Sequence, residues 1–148
     1  MLRIKGFSLL EILLVIAIGT GLFLFSAPLA LNFYRNQSAE EVRSNLMDAL
    51  VRAKHNAILQ KNDSDFGVTL SEVADSYVIF QGSTYNDRES SQDEIFEVTD
   101  NTNFTGLTDI IFSKLTGLPS ATGTIYVNYG AISKGILIGD SGSISKTN

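Results

Sequence analysis

The chain has 148 residues, no cysteine, a single histidine and a formal net charge of −5. A chain without cysteine cannot form a disulfide, a thiolate metal site or a cysteine nucleophile. With His55 as its only histidine, it also cannot build a histidine-rich metal site. The acidic balance disfavours nonspecific binding of nucleic acid, so no nucleic-acid partner is expected. No recognisable catalytic scaffold surrounds the acidic residues, and the sequence therefore predicts no enzyme, no cofactor and no metal site.

The N-terminal segment combines a short basic head with a long apolar run. Arg3 and Lys5 come first, and Glu11 is the only charged residue within residues 7–33. The charge-free stretch of residues 12–31 is about as long as a bilayer core requires. Basic residues on its N-terminal side favour a cytoplasmic N-terminus. The sequence therefore predicts a single transmembrane helix, with the C-terminal domain outside the cytoplasm.

Two other interpretations of this segment are open. A secretory signal peptide has a shorter apolar region and small residues at its cleavage site, whereas this run is long and carries Pro28 there. A plain membrane anchor leaves Glu11 unexplained, because a carboxylate in an apolar helix costs roughly 3 kcal/mol or more and usually has a partner. Cleavage after Gly6 would supply one, since the new α-amino group of Phe7 would neutralise Glu11. Formed within one chain or between neighbouring subunits, this pair would set axial register.

The segment KGFSLLE, which ends at Glu11, resembles the processing site of type IV prepilins and pseudopilins. The resemblance implies a leader of residues 1–6, removed by a prepilin peptidase that cuts after Gly6 and methylates the new N-terminus at Phe7. Glu11 matches the family's assembly glutamate, and Pro28 matches a proline that kinks the helix. The implied partners are the prepilin peptidase, the inner-membrane assembly platform with its ATPase, and other pilins or pseudopilins. The implied location is the bacterial inner membrane, as a single-pass protein that is then assembled into a filament.

After the apolar run, the pattern changes to that of an amphipathic spine helix over residues 34–61. Apolar residues recur every three or four positions and form one stripe, which consists of Val42, Leu46, Ala49, Leu50, Ala53 and Ala57. This spine helix continues the transmembrane or filament-core helix of residues 7–33, so one long N-terminal helix is expected. His55 lies on it without a second ligand at metal-binding spacing and is interpreted as a surface residue.

Residues 62–148 alternate short apolar segments with turn-forming residues, which is typical of strands. The predicted strands cover residues 66–70, 76–81, 94–98, 109–113, 124–128, 135–139 and 143–145. Runs this short favour an antiparallel sheet, whose apolar face would cover the stripe of the helix. The predicted fold class is therefore α+β, with the long N-terminal helix packed on a small antiparallel sheet.

Residues 83–93, STYNDRESSQD, are polar and predict an exposed loop between two strands. The functional interpretation is a contact with a partner or with calcium, whose preferred oxygen ligands would come from Asp87, Glu89, Asp93 and Glu94. The glycine and the fixed spacing of an EF-hand are missing. A solvated connection is therefore the preferred interpretation of this loop.

A second resemblance covers the stretch from Ile110 to Pro119 and the two apolar segments after it. This stretch looks like the strand and glycine turn of the H-type (FimT-like) minor pseudopilins of type II secretion and their pilus counterparts. The chain lacks the cysteine pair of many major pilins, and of the basic C-terminal residues of DNA-binding members only Lys134 and Lys146 remain. The predicted function is a minor pseudopilin of a type IV pilus or type II secretion filament, active in protein transport. A major type IV pilin and a membrane-tethered binding module are the alternatives.

Overall fold

The structure, a computed structural model, describes residues 8–70, 75–98 and 100–147, and it does not describe the side chains of residues 25–29. Helix α1 spans Leu9–Ile58. Eight strands follow within the described residues: β1 Phe66–Thr69, β2 Ser76–Gln81, β3 Glu94–Glu97, β4 Thr102–Gly106, β5 Asp109–Phe112, β6 Gly123–Tyr129, β7 Ile132–Ile138 and β8 Ile144–Thr147. Single 3₁₀ turns lie at Lys61–Asp63 and Ser90–Gln92. The chain divides into two compact units, Met1–Tyr34 and Arg35–Asn148.

The second unit contains two antiparallel sheets of four strands each. Their strand orders are β3-β2-β1-β5 and β4-β6-β7-β8. In the first sheet, Val68 lies opposite Ile79 on one side and Ile110 on the other. In the second sheet, Ile125 lies opposite Ile136. Both sheets therefore present rows of β-branched residues to the interior, which suits their pleated faces.

The core of the second unit lies between these sheets and the C-terminal part of α1. All six residues of the predicted helical stripe are buried, which confirms that stripe. They join buried residues of both sheets in one hydrophobic cluster, including Val68, Tyr77, Ile79, Phe112 and Val127. Removing this apolar surface from water is the main stabilising contribution to the unit.

The predicted fold class, one long N-terminal helix packed on one small antiparallel sheet, is wrong in two respects. The helical residues are divided between two units, and the strands form two sheets. The prediction missed β4, whose sequence TNFTG offers only Phe104 as an apolar residue. It also missed the first three residues of β7 and the tight turn before them, where Gly130 has a φ of 60°. These strands complete the second sheet, which the apolar pattern alone did not reveal.

Gly106 lies where the chain leaves the second sheet for the first. Its φ is +91°, and a Cβ at this position would collide with the carbonyl oxygen of Thr124. The next residue, Leu107, donates a backbone hydrogen bond of 3.2 Å to the same oxygen. Only glycine tolerates this conformation and this close approach together. The crossing between the sheets therefore depends on this glycine.

The C-terminal end of α1 is fastened by the turns that follow β5 and β7. The amide of Leu115 donates to the carbonyl of Ala57 at 3.1 Å, which satisfies one of the helix's terminal acceptors. The ammonium of Lys54 donates to the carbonyl of Gly142 at 2.8 Å. A cation near a helix C-terminus is also favoured by the helix dipole.

Membrane crossing requires roughly 20 consecutive, mostly apolar helical residues. Within residues 8–70, 75–98 and 100–147, no helix meets that requirement of length and apolar character. This finding corrects the predicted single transmembrane helix over residues 7–33. The predicted location, a single-pass protein of the bacterial inner membrane, loses its support with it.

Candidate assembly surface

Helix α1 begins immediately after Ser8, which caps its first turn. The amide of Glu11 donates to the Ser8 hydroxyl oxygen at 3.2 Å and to the Ser8 carbonyl at 3.1 Å. Ser8 and Glu11 thus have the spacing of a capping box, in which an acid or amide at the third helical position supports the cap. A carboxylate in the first turn is also favoured by the helix dipole. This local role of Ser8 was not predicted, although its S-x-x-E pattern indicates a capping box.

The helical part of the first unit exposes apolar side chains on every side. Successive residues of an α-helix point about 100° apart, so four consecutive residues sample the full circumference. Leu13, Leu14, Val15 and Ile16 are each between 55% and 62% exposed. Leu9, Leu10, Leu22 and Phe23 are more exposed still. This stretch therefore exposes apolar side chains around its whole circumference.

Glu11 is the only charged residue among the described residues of the first unit. Together with Ile12, Val15 and Ile16, it borders a shallow hollow on the helix surface. No ion pair of Glu11 occurs within the described residues. The apolar surface thus carries one negative charge close to the helix N-terminus.

Two glycines farther along the helix leave room on its surface. A Cβ built at Gly19 or Gly21 would meet no atom of the described residues within 4 Å. The hydroxyl of Thr20 between them donates to the carbonyl of Ile16 at 2.7 Å, so its polar group is satisfied within the helix. Because glycine weakens a helix by about 1 kcal/mol relative to alanine, these two residues cost local stability without an internal packing reason.

The remaining predicted site residues lie partly inside and partly outside the described part of the chain. Gly6 and Phe7, the predicted cleavage and methylation site, lie outside the described residues. Pro28 belongs to the helical backbone of α1, and the kink assigned to it stays a prediction. His55 lies exposed in the last turn of α1.

The loop of residues 83–93 is organised by contacts among its own side chains. Arg88 donates to Asp93 at 2.7 Å, and its guanidinium stacks 3.7 Å above the centroid of the Tyr85 ring. Tyr85 in turn packs edge-on against Phe80 at 5.5 Å. No group of three histidine or acidic residues within residues 8–70, 75–98 and 100–147 is arranged to hold a metal ion. The calcium interpretation of this loop therefore finds no geometric support among the residues described.

Comparison with known proteins adds no relative: no family model, no curated protein and no solved structure matches this chain.

Proposed function

We propose that the chain is a structural subunit of a type IV pilus or type II secretion filament, assembled through the helical residues of its first unit. The observation that carries this proposal is the apolar surface of that helix, exposed on every side with Glu11 as its only charge. A helix that is apolar all round is normally buried in its working state. Exposed apolar surface of this kind typically marks an interaction site.

Packing against the corresponding helices of other filament subunits would bury this surface. If each subunit contributes a similar apolar circumference, the helices form an apolar core in which Glu11 is the charged group that needs a partner. Gly19 and Gly21 would let neighbouring helices approach closely at that level, which explains why glycine occurs where no contact among the described residues requires it. The second unit, which has its own hydrophobic core, would remain available to partners.

Processing would supply the partner of Glu11. A prepilin peptidase cutting after Gly6 would create a positive α-amino group at Phe7, and such an amine, of the same chain or of a neighbouring subunit, would neutralise the Glu11 carboxylate. An assembly platform with its ATPase would drive the addition of subunits. The absence of the cysteine pair found in many major pilins favours a minor subunit over a major one.

Glu11 has two candidate roles, and one substitution separates them. Glutamine also suits the third position of a capping box, so Glu11→Gln keeps the helix cap and removes only the charge. If Glu11 serves the cap alone, the variant assembles like the wild type. If its charge recruits the amine of a neighbour, incorporation of the variant into filaments falls by about tenfold or more, because an unpaired buried charge is left behind.

The experiment follows the chain in cells with and without the matching prepilin peptidase. We expect an intact mass that corresponds to a start at Phe7 with one added methyl group, only where the peptidase is present. Sheared filament fractions are then compared for wild type, Glu11→Gln and Gly21→Leu. Leucine strengthens an isolated helix, so a loss of assembly in Gly21→Leu reports on packing between copies rather than on folding. An unprocessed chain in both strains contradicts the proposal, whereas full incorporation of Glu11→Gln restricts Glu11 to its role in the helix cap.

A further inference from the structure

Strand β3 is an open edge of the first sheet. The amide of Val98 bonds to the carbonyl of Asp75 at 2.9 Å, which fixes the alternation of the β2–β3 ladder. The peptide groups of Glu94 and Phe96 therefore face β2, and those of Ile95 and Glu97 face away from the sheet. Within the described residues, these outward groups have no hydrogen-bond partner.

The opposite edge of the same sheet is covered. On β5, the outward carbonyl of Ile111 accepts a hydrogen bond of 2.7 Å from the amide of Ser120, and the amide of Ile111 donates to the Ser120 hydroxyl at 3.1 Å. Pro119 forms a further bridge with Phe112. The chain thus protects one edge with its own turn and leaves the other available, and an open edge is a site for pairing with another strand.

A groove of about 810 Å³ runs along the outer side of β3, between that strand and helix α1. Its floor consists of Tyr77 and Phe96, whose rings stack at 5.1 Å with an angle of 12°. Its helical wall includes Asn45 and Asp48. Burial raises the pKa of Tyr77 to about 12, so this phenol stays neutral and the charge of the groove comes from its carboxylates.

The charges around the groove are predominantly negative. Glu41, Asp48 and Glu97 line it or its continuation toward Val98, and none of them forms an ion pair within the described residues. The one cation at the groove, Arg52, is already paired with Glu94, and its guanidinium lies 5.6 Å above the Phe96 ring. The aromatic floor therefore already accommodates a cation, and the unpaired carboxylates of the helical wall, Glu41 and Asp48, favour more of them.

We propose that this groove docks an extended segment of a partner protein, which adds as a strand to the open edge of β3 and carries lysine or arginine at alternate positions. Side chains of a strand alternate between its two faces, so the basic residues would all point toward the acidic helical wall. The intervening residues would be apolar and pack against Ile95, which is 61% exposed on the other face. Main-chain hydrogen bonds to Ile95 and Glu97 would supply affinity, and the acidic rim would supply specificity. The groove lies entirely in the second unit, so its occupancy does not depend on assembly through the first.

The test uses the full chain in a non-ionic detergent and the fluorescent peptide Lys-Val-Lys-Val-Lys-Val. Two matched peptides serve as controls: the same sequence N-methylated at alternate residues, which cannot complete the ladder along that edge, and Glu-Val-Glu-Val-Glu-Val. We expect the first peptide to bind about tenfold tighter than either control, because strand addition needs both the backbone donors and the positive charge. Equal binding of the N-methylated peptide would reduce the interaction to electrostatic adhesion and overturn the proposal, as would no binding of the first peptide.

A matched pair of variants locates the binding. Asp48→Asn should weaken binding of the lysine peptide by about threefold, whereas Asp140→Asn, an equal charge change in the exposed turn before β8, should leave it unchanged. Amide hydrogen exchange provides an independent readout. The amides of Ile95 and Glu97 should exchange about tenfold more slowly when the peptide is bound. Unaltered exchange at both amides, or equal effects of the two substitutions, would contradict docking at β3.

Discussion

Arg43 connects helix α1 to the end of β8, and the substitution Arg43→Met tests how much stability rests on that connection. The Arg43 side chain is buried, and its Nη1 atom donates to the carbonyl of Thr147 at 3.1 Å. Its Nη2 atom donates to Glu40. Lys146 also donates to Glu40, at 2.7 Å, and reaches the hydroxyl of Ser44 at 3.3 Å. Methionine keeps an unbranched apolar stem of similar reach and removes all the donors.

The expected cost of Arg43→Met follows from three contributions. A hydrogen bond from a charged donor stabilises by about 1.5–3 kcal/mol, and the bond to Thr147 is lost. Against this loss, the Nε atom of Arg43 is buried without a partner among the described residues, so its removal recovers some desolvation energy. Glu40 keeps its partner Lys146 and is not left unpaired. The net decrease in the free energy of unfolding should therefore be about 1–2 kcal/mol.

Lys146→Met is the matched control, because it removes the other cation of the same cluster. The Lys146 and Glu40 side chains are 46% and 34% exposed, so solvent screens their interaction. We expect a cost of about 0.5 kcal/mol for this exposed pair. Equilibrium unfolding of the full chain in urea, at constant detergent concentration, gives both values if the m-value is unchanged. If Arg43→Met costs no more than Lys146→Met, the buried guanidinium does not fasten β8 and the reasoning is wrong.

Two further predictions concern acid stability and the crossing between the sheets. Hydrogen bonds from Lys146 and then from Arg43 lower the pKa of Glu40 below 4.5, so Glu40→Gln should cost up to about 1 kcal/mol at pH 7. The difference in stability between Glu40→Gln and wild type should disappear as the pH falls through the lowered pKa of Glu40. Urea unfolding at several pH values measures this difference. A difference that persists in acid refutes the prediction. Gly106→Ala should destabilise by about 3 kcal/mol, because it combines positive φ with a collision at Thr124. Gly130→Ala, with positive φ in open space, should cost only about 1 kcal/mol in the same assay, and equal costs would refute the argument.

The sequence was most informative where structure depends on local periodicity. The stripe from Val42 to Ala57 repeats with the period of a helix, and burial on one face follows directly from that spacing. Strands β1, β2, β3 and β5 lie within predicted segments because each is an apolar run between turns. Strand β4 was missed because Phe104 is its single apolar residue, so its sequence shows no apolar run. It is a strand because it pairs with β6. Pairing between distant segments also decides that there are two sheets, and no local pattern records it.

The same distinction applies to the candidate surfaces. Glu11 stood out in the sequence, because an isolated charge in an apolar run is visible without a structure. The cap formed by Ser8 was also visible in the sequence as an S-x-x-E pattern, although it was not predicted. The groove beside β3 was beyond sequence analysis, since it requires knowing that β3 is an edge and that Asp48 of α1 lies across from it. The acidic residues of the groove indicate a binding site only once the fold shows that they line the same surface.

Salt should separate the two proposed surfaces, because they depend on opposite kinds of interaction. Packing of the first unit's helices buries apolar surface. Sulfate is excluded from protein surfaces, so added sulfate favours this burial. Docking on the acidic rim of β3 relies on exposed charges, which are screened beyond a Debye length of about 10 Å at 0.1 M ionic strength. Raising sodium sulfate should therefore increase the sedimenting fraction of the full chain while it weakens binding of the lysine peptide. If sedimentation and peptide binding respond to sulfate in the same direction, at least one of the two surfaces has been assigned the wrong chemistry. The N-methylated peptide then tests the β3 surface, and Glu11→Gln tests the helical surface.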